Sequence, residues 1–305
     1  MLSTSMLYFR EVARVGSLRR AAEVLGIAPS AISRQIANLE TELHVLLLDR
    51  RANRTTLTSA GELVFAHAEA ALQESDTLRA ALQELVGKPS GVVRIGSIEG
   101  MVEHFLASNL ARYQERHPQV KVQVSVLGSR AVVEAQQTGR IDMALAFNLP
   151  ERHALREHAR LEQPLCALVA PTHPFAKKRS VSFRELSSER LALPDRSFQI
   201  RHLVDRIATK LQVNLELAIE TNTLEMARGV VRNSNLVTLM PRYAALHEVS
   251  NGNLCAVPLK ERDFAQTATS LVTFPTQRLS LAARALLELL IVAMGRYGGK
   301  SSGVF

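Results

Sequence analysis

The chain has no tryptophan, only two cysteines in 305 residues, and 5% aromatic residues. Cys166 and Cys255 show no CxxC spacing, which excludes a disulfide framework and a thiolate metal finger. They read as reduced structural thiols, and a redox pair would require them to be neighbours in space. No stretch of about 18 apolar residues occurs, so no membrane span is expected. Arg10 and Glu11 interrupt the N-terminus too early for a signal peptide, and the expected location is the cytoplasm. A Walker loop, a G-x-G-x-x-G and an H-E-x-x-H are all missing, and no nucleophile–base pair can be assembled. His153 and His158 stand five apart, a poor helical spacing for a metal, in a charged segment that reads as solvated, ERHALREHAR (151–160). The chain is therefore expected to be no enzyme and to hold no metal or cofactor.

What is present is positive charge and length. The net charge is +8, which suits a polyanionic partner. Residues 1–58 hold eight arginines, no lysine and five acidic residues, so the basic charge is densest there. At 305 residues the chain can form two or three domains with real cores.

Residues 17–43 read SLRRAAEVLGIAPSAISRQIANLETEL. Leu18, Ala21, Ala22 and Leu25 make one apolar helical face, with Ser17 as N-cap and Gly26 as the stop. Pro29 suits the first turn of a second helix, whose Ile32, Ile36, Leu39 and Leu43 face inward. Its other face, Ser30, Ser33, Arg34 and Ala37, is small, hydroxylated and basic. The pair forms a helix-turn-helix whose second helix can enter a DNA major groove. Packed helix pairs are common, so the pattern alone also fits a purely structural pair. The next segment, LLLDRRANRTTLT (46–58), favours DNA. It reads as a two-stranded wing with Arg50, Arg51 and Arg54 near its tip, placed to reach a narrow minor groove. Ser17, Arg19 and Pro29 complete the candidate DNA contacts.

Thr58 or Ser59 caps a long helix to about Val86, and Ser59-Ala60-Gly61-Glu62 fits a capping box. Val64, Ala71, Leu78 and Leu85 recur every seven residues, with Ala68, Ser75 and Leu82 as a second row. This seam suits pairing with a second copy, with Val64, Ala71, Leu78, Leu82 and Leu85 as its contacts. A helix lying on its own domain is the alternative. Gly87-Lys88-Pro89-Ser90-Gly91 forms a hinge. Beyond it, strands such as VVRIGSI (92–98), VKVQVSV (120–126) and IDMALAF (141–147) alternate with helical segments. That succession implies a doubly wound, largely parallel α/β architecture ending in a loose tail from Gly298.

The chain resembles the LysR-type transcriptional regulators. The resemblance is carried by Gly16-Ser17, Ala21-Ala22, Leu25, Ala31-Ile32-Ser33-Arg34-Gln35-Ile36, Leu39-Glu40, Leu43, Leu47, Arg50 and Leu57-Thr58-x-Ala60-Gly61. Gly139-Arg140-Ile141-Asp142-Met143-Ala144 adds a looser match. The resemblance implies a winged helix-turn-helix over 1–58, a dimerising linker helix over 59–87, and an effector-binding domain over 91–305 similar to periplasmic binding proteins. In that domain the chain crosses twice between subdomain I (about 91–161 and 268–305) and subdomain II (about 162–267), and a cleft between them takes a small molecule. The implied partners are double-stranded operator DNA with an interrupted inverted repeat, an effector, and the chain itself as a dimer or a dimer of dimers on the bacterial nucleoid. The sequence departs from the family at Pro29-Ser30, where a base-reading amide is usual. It departs again at Leu48, at Asn53 in the wing, and at Asn233-Ser234-Asn235.

In open α/β sheets, ligands sit at strand ends beside helix N-termini. The candidate effector contacts are therefore Ser97, Ile98, Glu99, Ser129, Phe147, Asn148, Ser197, Phe198 and Thr223. Arg130, Arg196 and Arg201 stand near them and would help to hold an anion. Glu99 argues against one, unless it is paired or merely solvated. The leading reading is a DNA-binding transcriptional regulator modulated by a small polar metabolite. The competing one is a non-regulatory small-molecule binding protein on the same α/β fold.

Overall fold

The computed structural model describes residues 2–49, 55–84, 90–137, 139–149 and 154–301. The chain divides into two units near Gly91.

The first unit opens with α1 (Thr4–Val15), α2 (Leu18–Leu25) and α3 (Pro29–Leu43). Their ends follow local chemistry. Ser3 and Ser17 accept hydrogen bonds from Met6 N and Arg20 N, and Gly16 and Gly26 close α1 and α2 in the left-handed region, at φ 67° and 68°. Pro29 opens α3 and His44 ends it at φ 55°. Phe9, Val12, Ala21, Ala22, Ile32, Ile36 and Leu39 form the core with Leu47 and Leu48. The two alanines let α2 and α3 approach closely. Leu25 and Leu43, expected inside, are exposed. Each is the last residue of its helix.

A short antiparallel ribbon follows, β1 (Leu48–Asp49) on β2 (Thr56–Leu57). Glu40 of α3 accepts from Leu47 N at 2.8 Å and Leu48 N at 3.2 Å, tying the ribbon to the helix. The long helix α4 (Ser59–Glu84) comes next. Its cap is Thr58, whose Oγ1 accepts from Gly61 N at 3.0 Å, rather than the Ser59–Glu62 box expected.

The second unit holds a five-stranded sheet. Its strands are β3 (Gly91–Ser97), β4 (Val120–Val126), β5 (Met143–Phe147), β6 (Arg156–Glu162) and β12 (Ala268–Thr273). They lie in the order β4-β3-β5-β12-β6. β3 and β5 are parallel, but β12 is antiparallel to both β5 and β6. The sheet is thus mixed rather than largely parallel, because its fourth strand re-enters from the other subdomain. Side chains alternate across it. Ile95, Met143, Leu145 and Leu271 meet α5 (Ser108–Arg116) and α12 (Leu281–Ser301) on one face. Ala144, Ala146 and Val272 meet α6 (Ser129–Gln137) on the other. Tyr113 OH donates to Ala282 O at 2.8 Å and locks α5 to α12. The segment expected to be solvated around His158 is the edge strand β6, in which Arg156, Glu157, Arg160 and Glu162 are exposed while His158 is half-buried with a ring nitrogen 2.8 Å from Thr273 Oγ1; His153 lies outside the described residues. The expected tail from Gly298 continues α12 as far as Ser301.

Between β6 and β12 lies a second α/β layer. It comprises β7 (Leu165–Val169), α7 (Phe183–Leu186), β8 (Arg190–Pro194), α8 (Gln199–Leu211), β9 (Glu216–Thr221), α9 (Leu224–Arg232), β10 (Thr238–Pro241), α10 (Leu246–Ser250), β11 (Cys255–Pro258) and α11 (Arg262–Ala265). β7 is flanked antiparallel by β10 and β11, while β8 and β9 run parallel. A bridge between Leu191 and Val237 connects β8 with the segment leading into β10. The two chain crossings meet at Gln163 and Thr267. Gln163 N donates to Thr267 O at 2.8 Å, and Thr267 Oγ1 donates to Gln163 O at 2.6 Å.

Candidate functional site

In the first unit, Pro29, Ser30, Arg34 and Ala37 of α3 are exposed and Ser33 is half-buried, while Ile32, Ile36 and Leu39 hold the helix from behind. Arg34 makes no ion pair or side-chain hydrogen bond with the described residues, so its guanidinium is open to an outside partner. Asn38, four residues on, extends the same exposed face and was missed by sequence reasoning. The spacing Ser30, Arg34, Asn38 was the available signal. Ser17 is engaged as a cap, and Arg19 lies 4.0 Å from Glu23 with both exposed, a pairing of little energetic weight. Arg50, Arg51 and Arg54 lie outside the described residues.

The expected seam on α4 divides in two. Val64 packs against the core of the unit's own helices, Ala68 is buried, and Glu69 pairs with Arg10 of α1. The proximal half therefore follows the alternative of a helix on its own domain. Farther along, Leu78 and Leu82 are 60% and 56% exposed. Ala71 is half-buried. Leu85 lies outside the described residues.

In the second unit a cavity of about 260 Å³ opens between the two subdomains. Ile98, Glu99, Ser129, Phe147, Ser197 and Phe198 line it, as expected from the strand ends. Ser97, Asn148 and Thr223 do not. Ser97 is buried and its Oγ donates to Ile98 O at 3.0 Å. Asn148 turns away at φ 48° with its N–H on Ala268 O. Thr223 caps α9 by accepting from Met226 N at 3.2 Å.

Several lining groups are already committed. Ser129 Oγ accepts from Phe147 N at 3.0 Å and donates to Phe147 O at 2.9 Å, fastening α6 to β5. Ser197 Oγ donates to Asp195 Oδ1 at 2.5 Å. The arginines expected to aid an anion pair elsewhere. Arg130 meets Glu134 at 3.4 Å, Arg196 meets Asp205 at 3.5 Å, and Arg201 pairs with Asp205 and Glu220. Sequence reasoning missed Gln163, Gln199 and the apolar wall of Val126, Ile200, Leu224, Pro241 and Ala244. Gln163 lies at the crossing, which no local pattern marks. The side-chain amides of Gln199 and Asn222 have no hydrogen-bond partner among the described residues.

Glu99 is half-buried and is not paired with a cation among the described residues. Its carboxylate accepts from Leu224 N at 2.9 and 3.0 Å and from Glu225 N at 3.1 Å, at the start of α9 in the opposite subdomain.

The thiols do not form a pair. Cys166 stands opposite Pro258 and Cys255 opposite Val169. That offset of three residues separates their Cα atoms by roughly 10 Å, beyond the ~7 Å limit for a disulfide. Burial pushes the Cys166 thiol up to about 12. One further letter pattern, Gly299-Lys300-Ser301-Ser302-Gly303, spells G-x-S-x-G. Ser301 is the last residue of a helix, whereas a nucleophile elbow needs a strand-to-helix turn.

Comparison with known proteins bears on both units. Residues 4–62 match the family described as "Bacterial regulatory helix-turn-helix protein, lysR family", and residues 87–294 match "LysR substrate binding domain". A "Probable nitrogen assimilation transcriptional activator" of Synechocystis sp. is 29% identical over 248 residues, 80% of each chain. A full-length OxyR variant of Pseudomonas aeruginosa shares the fold with TM-score 0.71 at 20% identity, covering 96% of this chain and 94% of that one. Full-length CbnR complexed with its target DNA has TM-score 0.68 at 18% identity, covering 97% and 99%.

Proposed function

The chain belongs to the LysR family of transcriptional regulators, and on that premise we propose how its own residues read DNA and answer to a metabolite. The observation that carries the reading is α3, a helix clamped by its apolar face with Arg34 unpaired, among the described residues, beside small, exposed neighbours. A helix so presented enters a major groove, where Arg reads guanine by two parallel hydrogen bonds. Ser30, Ser33, Ala37 and the start of α2 (Ser17, Arg19) set its approach to the phosphates, and Arg50, Arg51 and Arg54 contact the minor groove beside it.

Residues 1–58 are the DNA-reading unit, 59–87 the strut, and 91–305 the effector-binding unit. Ala71, Leu78, Leu82 and Leu85 join two copies, so the operator is an interrupted inverted repeat, and a dimer of dimers spans a longer site. The effector is a small metabolite held between the subdomains by Ile98, Ser197, Phe198, Gln199 and Asn222. It acts by preferring one arrangement of the assembly over another, because a ligand shifts an equilibrium only by differential affinity. The protein works in the bacterial cytoplasm, on the nucleoid.

The test is a gel shift with the DNA immediately upstream of the protein's own coding sequence, repeated with candidate metabolites. Retardation of that DNA at tenfold lower protein than a scrambled duplex of equal length, altered by a metabolite, is expected. Equal retardation of both duplexes would overturn the regulatory reading and favour a non-regulatory binding protein.

A further inference from the structure

We propose that Glu99 is a built-in carboxylate ligand of the cleft. It fills the anion seat at the start of α9, latches the two subdomains across the cavity, and leaves the seat closed to any carboxylate from outside. Ligand selection follows only if the cleft is the effector site proposed above. The latch itself does not depend on that reading.

Three observations carry the proposal. First, Glu99 belongs to the β3 side of the cavity and α9 to the other, and the carboxylate takes the amides of Leu224 and Glu225 at 2.9–3.1 Å. Thr223 Oγ1 takes the next amide, Met226 N, at 3.2 Å. The first three amides of this nine-residue helix are thus all occupied. Second, Glu99 is the one ionisable group among the described residues that line the cavity, and it makes no ion pair with the described residues. Its charge is met by the positive end of α9, the arrangement by which a bound anion is ordinarily held. Third, the backbone is shaped for contact around it. A Cβ on Gly100 would stand 3.2 Å from Ala244 Cβ and 3.6 Å from Leu224 Cδ1. At the other rim, a Cβ on Gly128 would stand 2.6 Å from Ser197 O. Both rims are therefore closed at glycines, with Glu99 bridging beside one of them. A ligand in the remaining cavity presents no carboxylate toward Glu99 and meets the amides of Gln199 and Asn222 and the apolar wall.

The test uses the full-length Glu99→Ala variant and acetate as probe, read by thermal melting. Sodium chloride at equal ionic strength and acetamide serve as controls. The variant should melt below wild type, and acetate should raise its melting temperature with a half-maximal concentration at least tenfold below any acetate effect on wild type. Acetamide, which lacks the charge, should do little. Glu99→Gln keeps a neutral acceptor in place, so it should fold, melt below wild type and show no acetate response. Equal acetate responses in wild type and Glu99→Ala would overturn the proposal. So would a Glu99→Gln protein that melts with wild type, even if Glu99→Ala fails to fold. These readouts involve neither DNA nor effector. The effector reading fails separately, if Phe198→Ala leaves the metabolite response of the gel shift intact.

Discussion

Arg34 and Glu99, both charged residues on or beside helices, end in opposite environments, one exposed and one held by backbone amides. Arg34 is held by a helix whose inner face is packed, and nothing described in the protein neutralises it. Arg34→Ala should lower affinity for the specific operator by roughly 10- to 100-fold, the worth of about 1–3 kcal/mol for a bidentate contact. Melting should change little, because the side chain is exposed and makes no ion pair or side-chain hydrogen bond with the described residues. A fluorescence-anisotropy titration checks this with operator and scrambled DNA. Equal losses on both would reduce Arg34 to a phosphate contact. The thiols make a second residue-scale prediction. Burial raises the Cys166 pKa to about 12, so at pH 8 its neutral, unreactive form dominates. Half-buried Cys255 should react with a thiol reagent in the native protein. Cys166 should react only after unfolding, and two fast thiols in the native state would contradict the burial.

At the scale of elements, α4 is partly buried at its start and exposes large apolar side chains farther along. Its first turns belong to the winged unit, where Gly61 sits so close to the ribbon that a Cβ would lie 2.1 Å from Leu47 O. Helix propensity alone favours alanine there by up to ~1 kcal/mol. The clash reverses the sign, and Gly61→Ala should destabilise the unit by about 1–3 kcal/mol, measured by chemical denaturation. Farther along, Leu78 and Leu82 are open to solvent in a way isolated core helices avoid. Leu78→Glu should therefore convert the assembly to monomers in sedimentation. Operator affinity should fall at least tenfold, since two half-site contacts no longer share one effective concentration. A variant that sediments as wild type would place the dimer contact elsewhere.

At the scale of the whole molecule, the helix-turn-helix match and the substrate-binding-domain match fall on separate units of the chain. Substitutions in the cavity should then remove the response and spare basal binding. Phe198→Ala is the direct case: operator affinity without effector should stay within about twofold of wild type, while the metabolite-dependent change disappears. A large loss of basal affinity would mean that the cavity wall supports the DNA-bound assembly itself.

The helix-turn-helix was legible in the sequence because it is local. Caps at Ser17 and Gly26, Pro29 at the first turn of α3, and apolar residues three and four apart all act within a few residues of one another. The α/β character was legible for the same reason, as valines at every second position of β4 mark a strand without any partner. The mixed sheet was not. β12 pairs antiparallel with β5 and β6 because the chain leaves the sheet near Gln163 and returns near Thr267, and no short-range pattern records a return after a hundred residues. The same distance hid the cavity wall and the fate of Glu99. Alternation placed Glu99 at a strand end, but only tertiary structure set α9 against it. A carboxylate satisfied by backbone amides 125 residues away leaves no trace in its own neighbourhood.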